Sequence, residues 1–333
     1  MSSVLIYGAA CLDYIAQVNH FPQLDEKLRT NSLTICGGGN AANTATCLSR
    51  LDIKIKLLAK IGNDLNGEKI LRDFQEEKNI DTTLILIQSL TTSPLTYIIV
   101  DKETNTRTCL YSASNEQILL NDINSNCLNE INFIHFDSRS TEAAVYLANL
   151  AKEKSILCSL DLERDRPYLN ELIPLMDYII TTENYSQNVC KDSSYIQTAK
   201  RFLLHTCQFV IITCGKNGSM LIEKLNKNSL SQMKNSNPNE SIVTQEICQL
   251  DGEDFLLWKC TAWPIELHDI IDTTGSGDAF IGGIIYGLLR RKDLWSKDQL
   301  LRFASYIAMC KLKGIGARSS LPYISEIDMN LFH

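Results

Sequence analysis

The 333-residue sequence predicts an α/β fold in three layers: a mostly parallel sheet covered by helices on both faces, with a small β-sheet beside it. Two observations carry this prediction. Short apolar runs and amphipathic segments alternate from residue 130 onward, which implies right-handed βαβ units and a buried parallel sheet. Two early strand pairs do not fit that rhythm and are expected to project from the main layer. The length and the 44% hydrophobic content suffice for one large core.

The elements follow in order. Val4–Gly8 is a short apolar run ending in Gly, suited to a first parallel strand. Residues 11–19 and 27–36 flank a turn-rich stretch with Pro22 and Asp25, and read as two strands of the small sheet. A helix is expected over 40–51, where Ala41, Ala45 and Leu48 share a face. Strand 54–61 and helix 65–78 come next, then strands at 84–87, 95–100 and 106–111, the last two a hairpin. Strands at 132–136, 156–160, 178–181 and 209–213 alternate with helices at 142–153 and 196–204, and helices at 277–290 and 298–312 close a single domain. The Asn- and Ser-rich stretch 224–253 reads as an exposed loop insertion.

Composition excludes several classes. A net charge of -7 argues against a nucleic-acid or membrane-surface role, since both usually need a basic face. The 12 cysteines form no CxxC pair and read as reduced, buried thiols, consistent with a cytoplasmic protein. The first residues lack a signal-peptide pattern. No apolar run approaches the roughly 18 residues of a membrane span. GxxxxGK[ST] is absent, and Gly8-Ala9-Ala10-Cys11 does not supply the GxGxxG of a dinucleotide fold.

The segment Asp272-Thr273-Thr274-Gly275-Ser276-Gly277-Asp278 carries the chemistry. Its glycines allow a tight turn into an apolar helix, whose first N–H groups would form an anion hole for a phosphoryl group. Asp278, at the same helix start, is placed to take a proton from an attacking hydroxyl. Taken alone, GSGD also fits a capped turn. Gly37-Gly38-Gly39-Asn40-Ala41-Ala42-Asn43 opens an earlier helix, with Asn40 and Asn43 on one face. Their amides suit vicinal hydroxyls, although an Asn pair also serves as a helix cap.

Together these segments closely resemble the two signatures of the PfkB (ribokinase-like) carbohydrate kinase family, with Ser276 where Ala is commonest. The resemblance spans about residues 3–325, apart from the insertion. It implies an ATP- and Mg²⁺-dependent kinase acting on a hydroxyl of a small sugar, with Asp278 as general base and Gly275, Ser276 and Gly277 forming the hole. It implies sugar contacts at Asp13, Asp25, Gly38, Gly39, Asn40 and Asn43; Asp25 and Asp13 are equally ordinary as turn residues. It implies nucleotide contacts at Arg107, Thr213, Gly215, Gly218 and Thr274, Arg107 being also readable as an exposed hairpin arginine. Residues 311–320 are expected to form an apolar wall near the adenine.

The family's N-x-x-E element, which organises Mg²⁺, is not kept in Thr181-Thr182-Glu183-Asn184-Tyr185-Ser186; Glu183 is the candidate substitute. Asp161-Leu162-Glu163-Arg164, Asp25 and Arg107 resemble ketohexokinase-like members. The resemblance further implies that residues 11–36 and 94–111 form a lid excluding water. It allows a homodimer through that lid and a monovalent cation such as K⁺ at the Asp272–Thr274 loop. Ketohexoses, pentoses and nucleosides stay open as substrates; for a nucleoside, Tyr14, Tyr97 and Tyr111 are candidate base contacts. The remaining alternative is a non-catalytic assembly protein of the same fold.

Overall fold

Every residue of Val4–Tyr7 is buried, which an apolar strand tolerates only when helices cover both faces of its sheet. In the computed structural model, which describes residues 3–104, 106–114, 117–189, 194–226 and 243–332, Ser3–Tyr7 is such a strand. It pairs in parallel with Ile131–Phe136 on one side and Lys54–Leu58 on the other. The sheet has ten strands. Its spatial order is Val243–Leu250, Glu253–Cys260, Ser219–Lys224, Phe209–Thr213, Tyr178–Thr182, Leu157–Leu162, Ile131–Phe136, Ser3–Tyr7, Lys54–Leu58 and Ile80–Asp81. From Phe209–Thr213 to Ile80–Asp81 all pairings are parallel, and the three strands at the other end are antiparallel.

Alternate side chains of one strand feed two cores. Val4 and Ile6 pack with helices Asn40–Arg50, Ser276–Arg290 and Lys297–Lys311. Leu5 and Tyr7 pack with Thr141–Glu153 and Tyr195–Leu203 on the opposite face. The period of two along the strand produces this division. Helix starts are set locally: Asp64 accepts from Gly67 N to begin Leu65–Gln75, and Ser296 with Gln299 forms a capping box for Lys297–Lys311.

The small sheet has four strands in the order Ser32–Gly38, Cys11–Val18, Leu95–Asp101 and Thr106–Ser112. The register sorts its side chains. Asp13, Thr96 and Tyr111 lie side by side on one face, and Ile35, Tyr14, Tyr97 and Leu110 on the other. The first of its strands begins at Ser32, five residues later than expected from residue 27, because the polar stretch before it meets no strand partner beyond Asn31.

The expectation of a loop over 224–253 is corrected at its C-terminal part. Val243–Leu250 is a strand paired along its length with Glu253–Cys260. Asp251 and Gly252 join them with φ of 54° and 78°, the positive pair that a two-residue hairpin turn requires. Residues 227–242 lie outside the described residues.

Candidate active site

The parallel strands end on one edge, and the connections leaving Tyr7, Phe136 and Leu162 open into a cavity of about 590 Å³. Clefts at this carboxyl edge are the usual ligand sites of open α/β sheets. The inner face of the small sheet roofs it with Asp13, Thr96, Ile98, Arg107, Cys109 and Tyr111.

The floor is the start of Ser276–Arg290. Gly275 caps that helix at φ 78°, and a Cβ there would stand 2.6 Å from the Ala317 Cβ, so the turn demands glycine. Gly277 faces open space within the cavity wall. First-turn N–H groups have no acceptor within their own helix. Ser276 N donates to Thr273 O at 3.3 Å, and the N–H groups of Gly277 and Asp278, with the helix dipole, are placed for an anion. The preceding loop is strongly braced. Asp272 Oδ1 accepts from Thr274 N at 2.8 Å and Thr274 Oγ1 at 2.7 Å, and Oδ2 accepts from Gly316 N at 2.8 Å. Burial pushes the Asp272 carboxyl up, but these bonds outweigh it and hold the group below the usual range. Arg107 reaches across from the small sheet and donates to Thr273 Oγ1 at 2.8 Å and Thr274 Oγ1 at 2.9 Å.

Asp278 sits in the first turn of the helix and is buried. Its Oδ2 accepts from Asn43 Nδ2 at 2.7 Å. Burial pushes its carboxyl up to about 7; the Asn43 bond opposes this, and the carboxylates of Glu163, Asp137 and Asp13 add to it. The group is thus a carboxylate of unusual basicity, facing the cavity beside an anion hole.

The Gly38–Asn43 segment builds the adjoining wall. Gly39 starts Asn40–Arg50 at φ 93°, and a Cβ at Gly38 would stand 2.3 Å from the Asp13 carboxyl carbon. The missing side chain is what lets Asp13 lie against this loop. Burial raises the Asp13 carboxyl, and bonds from Thr96 and Cys11 and the Arg318 charge oppose this. Asn43 is held from both ends, since its Oδ1 accepts from Arg318 Nε at 3.0 Å. Arg318 also donates to Gly38 O at 2.7 Å. Asn40 donates to the buried Asp161 at 3.1 Å.

The structure therefore brings Asp13, Gly39, Asn40, Asn43, Arg107, Thr274, Gly275, Ser276, Gly277 and Asp278 to one cavity, with Gly38 just behind it. It places the others elsewhere. Asp25 has φ 61° in an exposed turn and does not line the cavity. Thr213 stands on the same sheet edge but gives its hydroxyl to Thr181 O, and Gly215 and Gly218 turn the chain into Ser219–Lys224 outside the cavity wall. A Cβ at Gly218 would meet Cys260 O at 1.9 Å, so this glycine answers to strand packing. Glu183 accepts from Tyr195 OH and does not line the cavity. The 311–320 segment supplies polar braces, from Lys311, Gly316 and Arg318, to the loops around the cavity.

Sequence reading missed Asp137, Arg139, Lys311 and Arg318. Asp137 accepts from Ala9 N at 2.6 Å and Arg139 N at 3.1 Å, fixing the turn after the first strand. Its signal was available: an Asp directly after the apolar strand Ile131–Phe136. Arg139 lies over the Tyr111 ring at 4.4 Å. Lys311 and Arg318 gave no local signal.

Comparisons with known proteins agree with this geometry. The family model described as pfkB family carbohydrate kinase matches residues 1–243 and 259–324. A ribokinase of Dictyostelium discoideum is 25% identical, covering 98% of this chain and 99% of its own. A nucleoside kinase of Methanothermobacter thermautotrophicus is 21% identical over 97% of this chain and 93% of its own. Among solved structures, Arabidopsis thaliana ribokinase complexed with ribose and ATP superposes with TM-score 0.75 at 16% identity, covering 99% and 98% of the two chains. A Burkholderia thailandensis nucleoside kinase in complex with inosine gives 0.73 at 18% identity, covering 99% and 97%. The family match spans nearly the whole chain, the fold agrees, and both signature segments meet at one cavity: the chain belongs to the pfkB family of carbohydrate kinases.

Proposed function

We propose that this ATP-dependent sugar or nucleoside kinase acts on a pentose, D-ribose first among them, and phosphorylates its primary hydroxyl with Asp278 as general base. The observation that carries the proposal is the Asp278 carboxylate, buried at the mouth of the anion hole and raised to about 7. A base of that strength accepts a proton at neutral pH with little thermodynamic cost. Asp13 and Asn43 hold the sugar hydroxyls beside it, and Asn43 also fixes the Asp278 rotamer.

In the transfer, the sugar oxygen forms a bond to the γ-phosphorus while the bond from that phosphorus to the β,γ-bridging oxygen breaks. The hydroxyl proton passes to Asp278 and ADP leaves. The N–H groups at Gly275–Asp278 and the Arg107 guanidinium hold the phosphoryl oxygens. Among the described residues no cluster of three or more ligating side chains is present. Mg²⁺ keeps most of its waters and binds through one or two carboxylates with phosphates, a demand that Glu163, exposed on the cavity wall, fits. When bound, that ion neutralises charge on the phosphates. The four-stranded sheet excludes water as a lid, and its outer face, where Leu33, Tyr97 and Leu110 are 60%, 51% and 55% exposed, packs on the lid of a second copy.

Two features favour a pentose. The relatives include ribokinases. Of the three lid tyrosines, only Tyr111 faces the cavity, and Arg139 already covers its ring; Tyr14 and Tyr97 lie on the outer face. A purine base would find little aromatic surface there. The ketohexokinase-like reading of Asp25 weakens with its place outside the cavity.

The test is ADP release from Mg·ATP across pentoses, ketohexoses and nucleosides, with the product's phosphorylated position read by NMR. Ribose 5-phosphate as the fastest product supports the proposal. Fastest turnover on a nucleoside or ketohexose would replace the substrate and keep the site.

A further inference from the structure

Lys311 is fully buried, at 0% exposure, as the last residue of helix Lys297–Lys311. Its ammonium donates to Asp272 O at 2.8 Å and to Gly314 O at 3.1 Å. Both acceptors are neutral backbone carbonyls. The Asp272 carboxylate offsets part of the cost of burying the ammonium, but a Met would fill the same space with no charge to bury. The position is therefore informative about what the charge does.

The carbonyl of Asp272 belongs to the loop that ends in the anion hole. A peptide unit is planar, so gripping the Asp272 carbonyl from below fixes the plane of the Asp272–Thr273 peptide and turns its N–H the opposite way. The same loop is held at the Asp272 carboxylate by Gly316 N. The Lys311 carbonyl accepts from Ser320 Oγ at 2.6 Å, which ties the ammonium's own backbone to the strap after Gly316. Two carbonyls from two converging loops, closing on one positive charge, form the kind of oxygen cage that a monovalent cation occupies in other proteins. Here the cation is covalently attached.

We propose that the Lys311 ammonium is a built-in cation that positions the anion-hole loop, so that phosphoryl transfer by this chain needs no added K⁺. Lys311 is a positioning residue, since it touches Asp272 and Gly314 and lies outside the cavity wall. The inference rests on the reading of that loop as the phosphoryl site. It replaces the expectation of a K⁺ ion at Asp272–Thr274 with a side chain of the same charge.

The experiment measures Mg·ADP binding by titration calorimetry, and kcat on the best substrate, in choline chloride and in KCl at equal ionic strength. Wild type is expected to differ less than about twofold between the two salts. Lys311→Ala, which leaves room for an ion, is expected to bind Mg·ADP at least about tenfold more weakly in choline, with KCl or ammonium chloride restoring most of the loss. Lys311→Met, with the volume filled, is expected to be impaired in both salts. Tenfold stimulation of wild type by KCl would overturn the proposal without any variant. So would a Lys311→Ala protein that is as active as wild type in choline, or one whose loss no cation restores. Wild type that binds no Mg·ADP in either salt would sink the phosphoryl-site reading and this inference together.

Discussion

At the residue scale, two buried groups of opposite sign, Asp278 and Lys311, are expected to bound the pH range of activity. Asp278 must be ionised to accept a proton, and its carboxyl is raised to about 7. Accordingly kcat/KM is expected to fall about tenfold per pH unit below that value, as a pH–rate profile will show. The same shift predicts a stability effect. A carboxyl whose folded pKa lies above its unfolded one stabilises the fold below about pH 4 and loses that contribution as pH rises through 7. Asp278→Asn removes a disfavoured buried charge, so its Tm at pH 8 is expected to exceed that of wild type. Lys311 titrates the other way. Burial pushes it down to about 8, with Asp272 and Cys36 opposing and Arg107 adding to the shift. An alkaline fall in activity above that pH, reduced by added KCl, is the expected signature. The acids and amides of the two signatures were legible in the sequence because each motif is local. Arg318 and Lys311 were not, since their partners lie 275 residues away at Asn43 and 39 away at Asp272.

At the element scale, the helix starts are where sequence and site meet. Gly275 holds a left-handed turn against Ala317. Gly275→Ala is expected to cost about 1–3 kcal/mol in backbone strain, more with the Ala317 clash, and to weaken nucleotide binding; denaturant melts and Mg·ADP titration check both. Arg107 links the lid to the loop before that turn through two threonine hydroxyls. Removing it with Arg107→Ala is expected to raise the KM for Mg·ATP about tenfold and leave Tm nearly unchanged, because the arginine is partly exposed. The parallel strands were legible from their apolar runs. The antiparallel edge, Ser219–Lys224, Val243–Leu250 and Glu253–Cys260, was not. Its one local signal, Asp251-Gly252, followed an Asn- and Ser-rich stretch that resembled loop throughout. Thr213 to Gly218 matched a nucleotide motif in the sequence; in the structure Gly218 is also demanded by the close approach of Cys260 O where the chain turns into Ser219–Lys224.

At the scale of the whole molecule, the lid has one polar face over the cavity and one apolar face outward. A single register, Tyr14 beside Ile35 and Tyr97, with Leu110 beside Tyr97, produces both. Dimerisation through that outer face predicts that Tyr97→Glu gives a monomer by light scattering, with a higher KM for sugar because the lid loses its support. A wild-type monomer at working concentration would remove the dimer from the account. The division of labour is otherwise one of distance. The sheet edge and two helix starts come from opposite ends of the chain and meet at one cavity, and the strap after Lys311 braces them through Gly316 and Arg318.

The central claim is that Asp278 is the base of a phosphoryl transfer. Its most direct measurement is kcat for Asp278→Asn on the best sugar, beside Mg·ADP affinity and Tm of the same protein. A fall of about 10²- to 10⁴-fold in kcat, with nucleotide affinity and folding retained, is the predicted result. A kcat within about tenfold of wild type would contradict the account and move the base to another cavity acid.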